Sequence, residues 1–173
     1  GAEFTNYDIP KYGKTLIILV TQSGETKDLH RCLEMNTGCF TIGVVNVVDS
    51  LIAREVNCGC YTNTGREVSV ASTKSFTSQL ILLSLISFWF GQLHNKNMYE
   101  PAIDDCRILS IQIQKVFDEC EKINVDELLK KSMFVLGKGC MEFIAKEGSL
   151  KLKEMAYIHA EGYAASSLKH GPF

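Results

Sequence analysis

A cluster of hydroxyl and amide side chains follows the first apolar run of the sequence. The segment VTQSGETKD spans residues 20–28. Its short polar residues, together with one glycine, are Thr21, Gln22, Ser23, Gly24 and Thr26. The preceding run, TLIILV (15–20), is continuous and contains β-branched residues, which is typical of a strand covered on both faces. The polar cluster is therefore expected at the carboxyl end of a buried parallel strand.

This position and composition favour phosphate binding. Ligands of open α/β sheets bind beyond the carboxyl ends of the strands. The next residues, KDLHRCLEMN, have helical spacing, so their first backbone N–H groups can bind an anion and the hydroxyls can add hydrogen bonds. The lysine of a nucleotide-binding GxxxxGK[ST] loop is absent, which favours a sugar phosphate or another small monoester. An ordinary Ser/Thr-rich helix cap is the alternative.

A second polar cluster, SVASTKSFTSQ (69–79), also precedes a predicted helix. By itself it is equally consistent with a helix cap. Two such clusters, each placed between a strand region and a helix, could face one ligand. We therefore treat the two segments as candidate walls of a single site.

The third candidate feature is a charged stripe near the end of the sequence. Glu147, Lys151 and Glu154 are four and three residues apart, so they share one helical face. A carboxylate such as Glu154 could move a proton between adjacent sugar carbons if burial raised its pKa. A solvated salt-bridge stripe is the alternative. His159 and His170 are isolated in the sequence, but His170 lies in a loop beside Lys169 and Gly171.

Strands and helices alternate in a pattern that positions these features. Strands are predicted at 15–20, 40–48, 58–62 and 132–139, and helices follow after Thr26 and at 50–56, 73–93, 102–120, 125–131 and 141–158. This alternation predicts an α/β fold with right-handed crossovers. A strand, a glycine-containing turn and a helix occur twice, after Val20 and after Leu136, which suggests two related units.

The composition excludes several classes of protein. The chain has 173 residues and a formal charge of −2, which favours neither nucleic acid nor a membrane surface as a partner. The apolar stretch 80–93 is shorter than a membrane span and predicts a buried helix. The first residues lack a signal-peptide pattern. Seven cysteines without a CxxC pair predict buried, reduced thiols, and no cluster implies a metal or an organic cofactor.

Four motifs together resemble a known family. TQSGETKD, GVVNVVDSLIARE, SVASTKSFTSQ and EGSLKLKEMAYIHAEGYAASSLKHGP are similar, in order and spacing, to the sugar isomerase half of the glutamine–fructose-6-phosphate aminotransferases. The resemblance implies a three-layer α/β sandwich around a parallel sheet. It predicts a first sugar isomerase domain at 1–93, which is nearly complete, a linker and connecting helix at 94–124, and the start of a second domain at 125–173.

The resemblance also implies roles for particular residues and a substrate. Fructose 6-phosphate would be the ligand and glucosamine 6-phosphate the product, for UDP-N-acetylglucosamine synthesis in the cytoplasm, without a cofactor. The residues implied to bind the phosphate are Gln22, Ser23 and Thr26, together with Thr21, where the family has serine. The Val70 main chain and Ser72 would contact the sugar. Glu154 would be the base, Lys151 would lie beside it, and His170 would assist ring opening across a subunit contact, which suggests at least a homodimer.

Some family features are not found in this sequence. The glutaminase domain, the first strand of the isomerase domain and the tail with its Schiff-base lysine have no counterpart here. Ser166 and Ser167 stand where the family prefers Gly-Glu, and Lys138 stands where arginine is common. We therefore expect an incomplete fragment that does not complete the synthase reaction alone, with unpaired strand edges and exposed apolar surface.

Two further readings of the resemblance stay open. The chain could be a non-catalytic sugar-phosphate-binding module, as in regulators with the same fold. It could also be a truncated product that folds poorly. The loop 21–26 suits both the enzyme and the binding module, whereas Glu154, Lys151 and His170 are needed only by the enzyme.

Overall fold

A computed structural model describes residues 1–94, 100–127 and 130–171. The strands are β1 (Leu16–Thr21), β2 (Phe40–Val45), β3 (Cys58–Tyr61), β4 (Ser132–Gly137) and β5 (His159–Ala164). The α-helices are α1 (Lys27–Glu34), α2 (Leu51–Glu55), α3 (Lys74–Gln92), α4 (Glu100–Cys120) and α5 (Met141–Ala156). Single 3₁₀ turns lie at Asn6–Asp8, Val125–Glu127 and Leu168–His170. The chain forms two compact units, Gly1–Ile108 and Leu109–Phe173.

The first unit is built on a parallel sheet in the order β1-β2-β3. In its register, Thr21, the last residue of β1, pairs with Val45, the last residue of β2. The carboxyl ends of these two strands therefore lie side by side. The predicted α/β class and the parallel pairing of these strands are confirmed.

Apolar side chains are buried on both faces of this sheet. Leu19, Val45 and Ile52 form the core on the face that carries α1 and α2. Ile42 and Val44 alternate with Val45 along β2, so they point to the opposite face, and both are buried as well. Helices α2 and α3 both contact β2, so the sheet of the first unit packs against more than one helix. Continuous apolar runs such as LIILV are the pattern that such double coverage requires.

The second unit repeats the strand, helix, strand arrangement. Strands β4 and β5 are parallel, with Ser132 opposite His159 and Gly137 opposite Ala164. Helix α5 connects them and packs on both strands. A Cβ atom at Gly162 would lie 2.5 Å from Lys146 Cα, so the helix backbone approaches β5 closely at a residue without a side chain.

The end of α5 differs from the prediction. The helix was expected to reach residue 158, but it ends at Ala156, and its C-cap Tyr157 is left-handed with φ +55°. Residues His159–Ala164 form strand β5, which the sequence did not predict. The segment HAEGYA has no β-branched residue, so its local strand preference is weak. Pairing with β4 and packing against α5 stabilise the strand despite this weak local preference.

Helix α3 was predicted to be buried, and this prediction is wrong. Ser75 is its only buried residue, whereas Trp89 is 60% exposed and Leu93, its C-cap, is 71% exposed. A helix that is apolar all around cannot cover every face against a single sheet. Apolar surface is also exposed on α4 and α5, for example at Phe117 and Phe143, as was expected for this chain.

The predicted burial of the cysteines is also largely wrong. All seven are free thiols, but only Cys32 is buried. All four residues of β3, including Cys58 and Cys60, are exposed. In the described sheet β3 is an edge strand that pairs with β2 alone, which explains this exposure. Cys120 and Cys140 lie at the last residue of α4 and the N-cap of α5, and both are exposed.

Two predictions fall partly outside the described residues. Of the predicted linker and connecting helix at 94–124, residues 95–99 lie outside them, and α4 begins at Glu100. Of the predicted helix 125–131, residues 125–127 form a 3₁₀ turn and residues 128–129 lie outside the description. The predicted domain limits remain predictions. Across 1–94, 100–127 and 130–171, no helix combines the length and apolarity needed to cross a membrane.

Candidate functional site

The loop after β1 is organised around the Thr21 hydroxyl. Thr21 is buried, and its Oγ1 lies 2.8 Å from Thr26 Oγ1. The Gly24 N–H donates a hydrogen bond to the same Thr21 oxygen at 3.3 Å. Thr21 therefore joins the end of the strand, the turn of the loop and the start of α1. The extra methyl of threonine relative to serine does not prevent this arrangement.

Gly24 sits at the tightest point of the loop. Its φ is +71°, and a Cβ atom there would lie 1.9 Å from Ser50 Oγ and 2.9 Å from Val45 Cγ1. The Gly24 carbonyl accepts a hydrogen bond from the Ile52 N–H at 2.9 Å. Ser50 is the N-cap of α2, so the loop rests directly on the start of the next helix. Only glycine combines this conformation with this contact.

The amino terminus of α1 lacks a side-chain cap. Thr26 is the N-cap residue, but it makes no side-chain capping hydrogen bond, and its hydroxyl is paired with Thr21 instead. The first N–H groups of a helix have no partner within the helix and carry partial positive charge. The first turn of α1 is therefore available to an anion.

A surface pocket of about 390 Å³ opens at this point. Four of the predicted binding residues line it together: Thr21, Gln22, Thr26 and Ser72. Asp28 and Gln79 contribute from α1 and α3. The two polar clusters recognised in the sequence thus form parts of one pocket, with the β1 loop on one side and the residues before α3 on the other.

Two predicted binding residues have other positions. The Ser23 hydroxyl accepts a hydrogen bond from the Glu25 N–H at 3.1 Å, and Ser23 is not among the described residues that line the pocket. Val70 is fully exposed and is also not part of that lining. Their predicted roles, through a hydroxyl and a main-chain group respectively, stay predictions.

Asn46 supports the loop, although the sequence analysis did not single it out. Its Oδ1 accepts hydrogen bonds from the Thr62 hydroxyl at 2.8 Å and from the Thr64 N–H at 3.0 Å. Its Nδ2 donates to the Gly65 carbonyl at 2.7 Å, and its N–H donates to the Gln22 carbonyl at 3.2 Å. Asn46 therefore connects the loop after β1 to the loop after β3. In the sequence it interrupts the apolar run 40–48 that was predicted as one strand, and this interruption was the available signal; in the structure β2 ends one residue earlier, at Val45.

The Glu67 carboxylate supports the segment that contributes Ser72 to the pocket. Glu67 accepts hydrogen bonds from the Thr73 hydroxyl at 3.3 Å, from the Ser75 N–H at 3.3 Å and from the Ser75 hydroxyl. The hydrogen bond from the Ser75 side chain, supported by those from its N–H and from Thr73, holds the pKa of Glu67 below its ordinary value despite partial desolvation. The sequence analysis missed Glu67 because its partners are six and eight residues away.

This lowered pKa predicts how stability depends on pH. Because the folded pKa of Glu67 is depressed, its contribution is fully present above the unfolded value of about 4.3 and is lost as pH falls through the folded value. We expect Glu67→Gln to unfold at lower urea concentration than the parent chain at pH 7. The difference should narrow below about pH 4.3. Urea titrations at several pH values test this, and a difference independent of pH would contradict it.

In the second unit, α5 carries the predicted charged stripe as a continuous cluster. Lys151 Nζ lies 3.3 Å from Glu147 Oε1 and 2.8 Å from Glu154 Oε2. Burial alone would lower the pKa of Lys151, but its hydrogen bonds to Glu154 and Glu147 outweigh this and raise the pKa. Glu154 was considered as a base whose pKa burial could raise. In this chain Glu154 is exposed rather than buried.

Removing the central cation should destabilise this helix slightly. We expect Lys151→Met to lower the free energy of unfolding by about 1 kcal/mol or less, because the ion pairs are partly exposed. High salt should shrink the effect. Lys146→Met is the matched control on the same helix: among the described residues Lys146 forms one ion pair, with Glu142, and its Nζ lies 5.9 Å from the centre of the Phe143 ring. Thermal unfolding at low and high salt measures both variants, and equal losses would contradict a special role for Lys151.

His170 lies in the 3₁₀ turn Leu168–His170, where it is exposed, and its N–H donates to the Ser167 carbonyl at 3.0 Å. His159 lies on β5, where its Nδ1 is 2.8 Å from the Ser132 hydroxyl. In the part of the chain that the structure describes, no three His, Cys, Asp or Glu side chains are grouped so as to hold a metal ion.

Comparison with known proteins decides the family. The family model described as "SIS domain" matches residues 13–87 and 129–173. The chain belongs to the SIS domain family. The first matched segment of this SIS protein contains β1, the loop 21–26 and the residues before α3, and the second contains β4, α5 and β5.

Several relatives of this SIS protein are aminotransferases by name. It is 44% identical over 180 residues to a "probable glutamine--fructose-6-phosphate aminotransferase [isomerizing]" of Acanthamoeba polyphaga mimivirus. It is 40% identical over 174 residues to the glutamine--fructose-6-phosphate aminotransferase of Aquifex aeolicus. These matches cover 100% and 99% of the chain but only 30% and 29% of the relatives. The chain therefore spans less than a third of their length.

Solved structures confirm the SIS fold. The C-terminal domain of glucosamine-fructose-6-phosphate aminotransferase from Francisella tularensis has a TM-score of 0.80 at 35% identity, over 91% of this chain and 47% of that one. A putative phosphosugar isomerase from Clostridium difficile has a TM-score of 0.81 at 20% identity, over 99% of this chain and 50% of that one. At that lower identity, the second likeness shows the fold alone.

Proposed function

We propose that this chain is the sugar-phosphate-binding part of a glutamine–fructose-6-phosphate aminotransferase and that fructose 6-phosphate is its ligand. The observation that carries the proposal is the pocket in which Thr21, Gln22, Thr26 and Ser72 meet beside the uncapped start of α1. The names of the relatives, at 40–44% identity, supply the substrate class. The full reaction to glucosamine 6-phosphate belongs, in this proposal, to a longer protein.

The phosphate of the ligand binds to the loop after β1 in this proposal. The hydroxyls of Thr21 and Thr26 are 2.8 Å apart, so they can both reach one phosphate group. The first N–H groups of α1 add positive potential and hydrogen bonds. Ser72, on the other side of the pocket, then faces the sugar, and the Val70 main chain, which is not part of the described lining, contacts the sugar once it is bound.

The proton transfer is assigned to the second unit. Glu154 moves a proton between carbons 1 and 2 of the sugar, and Lys151, whose Nζ lies 2.8 Å from Glu154 Oε2, holds that carboxylate in place. His170 assists ring opening from a neighbouring subunit of a homodimer. The proposed location of the protein is the cytoplasm. These assignments rest on the resemblance of the motifs around Glu154 and His170 to the family.

Calorimetric titration tests the binding function. Fructose 6-phosphate and glucose 6-phosphate are titrated into the parent chain and into the double variant Ser23→Ala, Thr26→Ala. Each lost hydrogen bond to a charged group is worth about 1.5–3 kcal/mol, so the double variant should bind at least about tenfold more weakly. Ser84→Ala is the control, because the hydrogen bond that its hydroxyl makes within the described part of the chain goes to the Leu80 carbonyl of its own helix. Equal binding by the double variant and the parent would contradict the proposal.

A non-catalytic sugar-phosphate-binding module is the second candidate function. The observation that favours it is the exposure of Glu154, because a catalytic base is normally shielded from water. Exchange in D₂O of a carbon 1 hydrogen of fructose 6-phosphate, or of the carbon 2 hydrogen of glucose 6-phosphate, separates the two functions. The enzyme part predicts exchange that Glu154→Gln abolishes, whereas the binding module predicts tight binding without exchange.

A further inference from the structure

Glu67 closes a short segment of chain into a fixed loop. Its carboxylate bonds to the hydroxyl of Thr73 and to both the N–H and the hydroxyl of Ser75. The residues between carry the second wall of the pocket, including Ser72. Glu67 itself is not among the described residues that line the pocket. Its influence on a ligand is therefore exerted through the loop.

The start of α3 depends on this carboxylate. Thr73 is the N-cap of α3 but makes no side-chain capping bond, and its backbone (φ −124°, ψ −78°) lies outside the regular regions. Ser75 is fully buried, and both of its donors are directed to Glu67. Loss of the carboxylate would leave buried donors without partners, which costs more than an ordinary exposed hydrogen bond. Glu67 is thus the functional cap of α3.

Ser72 is held from both sides by this arrangement. On one side the Thr73 hydroxyl is bound to Glu67. On the other side Ala71 is 1% exposed, and its N–H donates to the Ser69 hydroxyl at 3.2 Å. With both neighbours anchored, the position of Ser72 relative to Thr21 and Thr26 is set by the closure of the loop.

The two helix starts at the pocket differ in how their N–H groups are paired. A carboxylate is present at each, but Glu67 accepts a hydrogen bond from the Ser75 N–H of α3, whereas at α1 the N-cap Thr26 makes no capping hydrogen bond and Asp28 is a residue of the first turn that lines the pocket. Both termini attract anions in proportion to the N–H groups that remain unpaired. A phosphate entering the pocket is therefore directed to α1, and the uncharged part of the ligand is directed to the wall that contains Ser72.

We propose that Glu67 is a positioning residue that holds Ser72 against the sugar and fixes which end of the ligand faces α1. This inference rests on the proposed function and adds to it a residue that determines how the sugar, rather than the phosphate, is bound. It predicts that removal of Glu67 changes the binding free energies of the two parts of the ligand differently. Binding of the sugar part weakens, while binding of the phosphate part is kept.

The test compares two probes on matched variants by titration calorimetry. Glu67→Ala should weaken fructose 6-phosphate binding about tenfold, the equivalent of one or two lost hydrogen bonds, and leave inorganic phosphate within about twofold of the parent. Glu67→Gln keeps an acceptor oxygen and should recover most of the fructose 6-phosphate affinity. Glu34→Ala removes an exposed glutamate of the same unit and should change neither affinity.

The possible results are distinguishable. If the parent chain fails to bind fructose 6-phosphate, the proposed function fails and this inference fails with it. Suppose that the parent chain binds fructose 6-phosphate. If Glu67→Ala then weakens the binding of fructose 6-phosphate and of inorganic phosphate equally, or weakens neither, the inference is overturned while the proposed function stands. Circular dichroism establishes whether Glu67→Ala is folded. If it is not, Glu67→Gln decides: a smaller but measurable loss of fructose 6-phosphate affinity with inorganic phosphate binding unchanged supports the inference, whereas weaker binding of both ligands, or of neither, overturns it.

Discussion

Gly24→Ala is expected to abolish binding of fructose 6-phosphate and to lower the free energy of unfolding by about 3 kcal/mol. Alanine at φ +71° is strained, and its Cβ would lie 1.9 Å from Ser50 Oγ. Ser50 cannot move away easily because it is buried. The loop must therefore lift from the start of α2, which displaces Thr21 and Thr26 from each other. Urea unfolding and calorimetry measure the two effects.

Gly65→Ala is the matched control for this substitution. Gly65 has a similar φ of +67°, but a Cβ there would meet no atom of the described residues within 4 Å. It should cost only the backbone strain, about 1 kcal/mol. The double variant Gly24→Ala, Ser50→Gly should recover part of the lost stability, because the closest contact is then removed. Equal losses for Gly24→Ala and Gly65→Ala would show that the contact with Ser50 is unimportant.

Gly162→Ala should have a comparable effect on the second unit. Its Cβ would lie 2.5 Å from Lys146 Cα and 2.6 Å from Lys146 N, which are backbone atoms of α5. Because a helix backbone cannot yield locally, α5 must move away from β5, at a cost of about 3 kcal/mol in the free energy of unfolding. Glu147, Lys151 and Glu154 would move with the helix. Urea unfolding of the variant tests the first effect.

Gly148→Ala provides the opposite control on the same helix. A Cβ at Gly148 would lie 3.9 Å from Val135 Cγ1, which is an ordinary contact. Alanine has the higher helix propensity, so this variant should be more stable than the parent by about 0.5–1 kcal/mol. A neutral or stabilising effect of Gly162→Ala would contradict the conclusion that α5 packs on β5 too closely for a Cβ atom at this position.

The sequence predicted most of the framework because its strands have strong local signals. Short apolar runs located β1, β2 and β4, and the alternation with helices predicted a parallel arrangement. β5 was missed because HAEGYA has little strand preference, and its conformation depends on pairing with β4 and on Gly162 beneath α5. The burial of α3 was overestimated because apolar composition does not say how many faces of a helix are covered.

The candidate site was predictable to the extent that it is local. The hydroxyls of Thr21 and Thr26 and the turn at Gly24 are adjacent in the sequence, and the resemblance added Ser72. Asn46 and Glu67 were not predicted, because their importance comes from partners outside their own segments: Gly65 in the loop after β3 and Ser75 in the first turn of α3. Hydrogen bonds between distant segments leave no periodic pattern in the sequence. Such supporting residues become visible only in the folded chain.

The most direct test of the central claim is to observe which backbone amides respond to the ligand. The chain is labelled with ¹⁵N and titrated with fructose 6-phosphate, and amide shifts are followed by NMR. The account predicts that the amides of Thr26, Lys27 and Asp28 move most, because they begin α1, and that the Ser75 amide, bound to Glu67, moves little. Shifts confined to other parts of the chain, with α1 unaffected, would contradict the account.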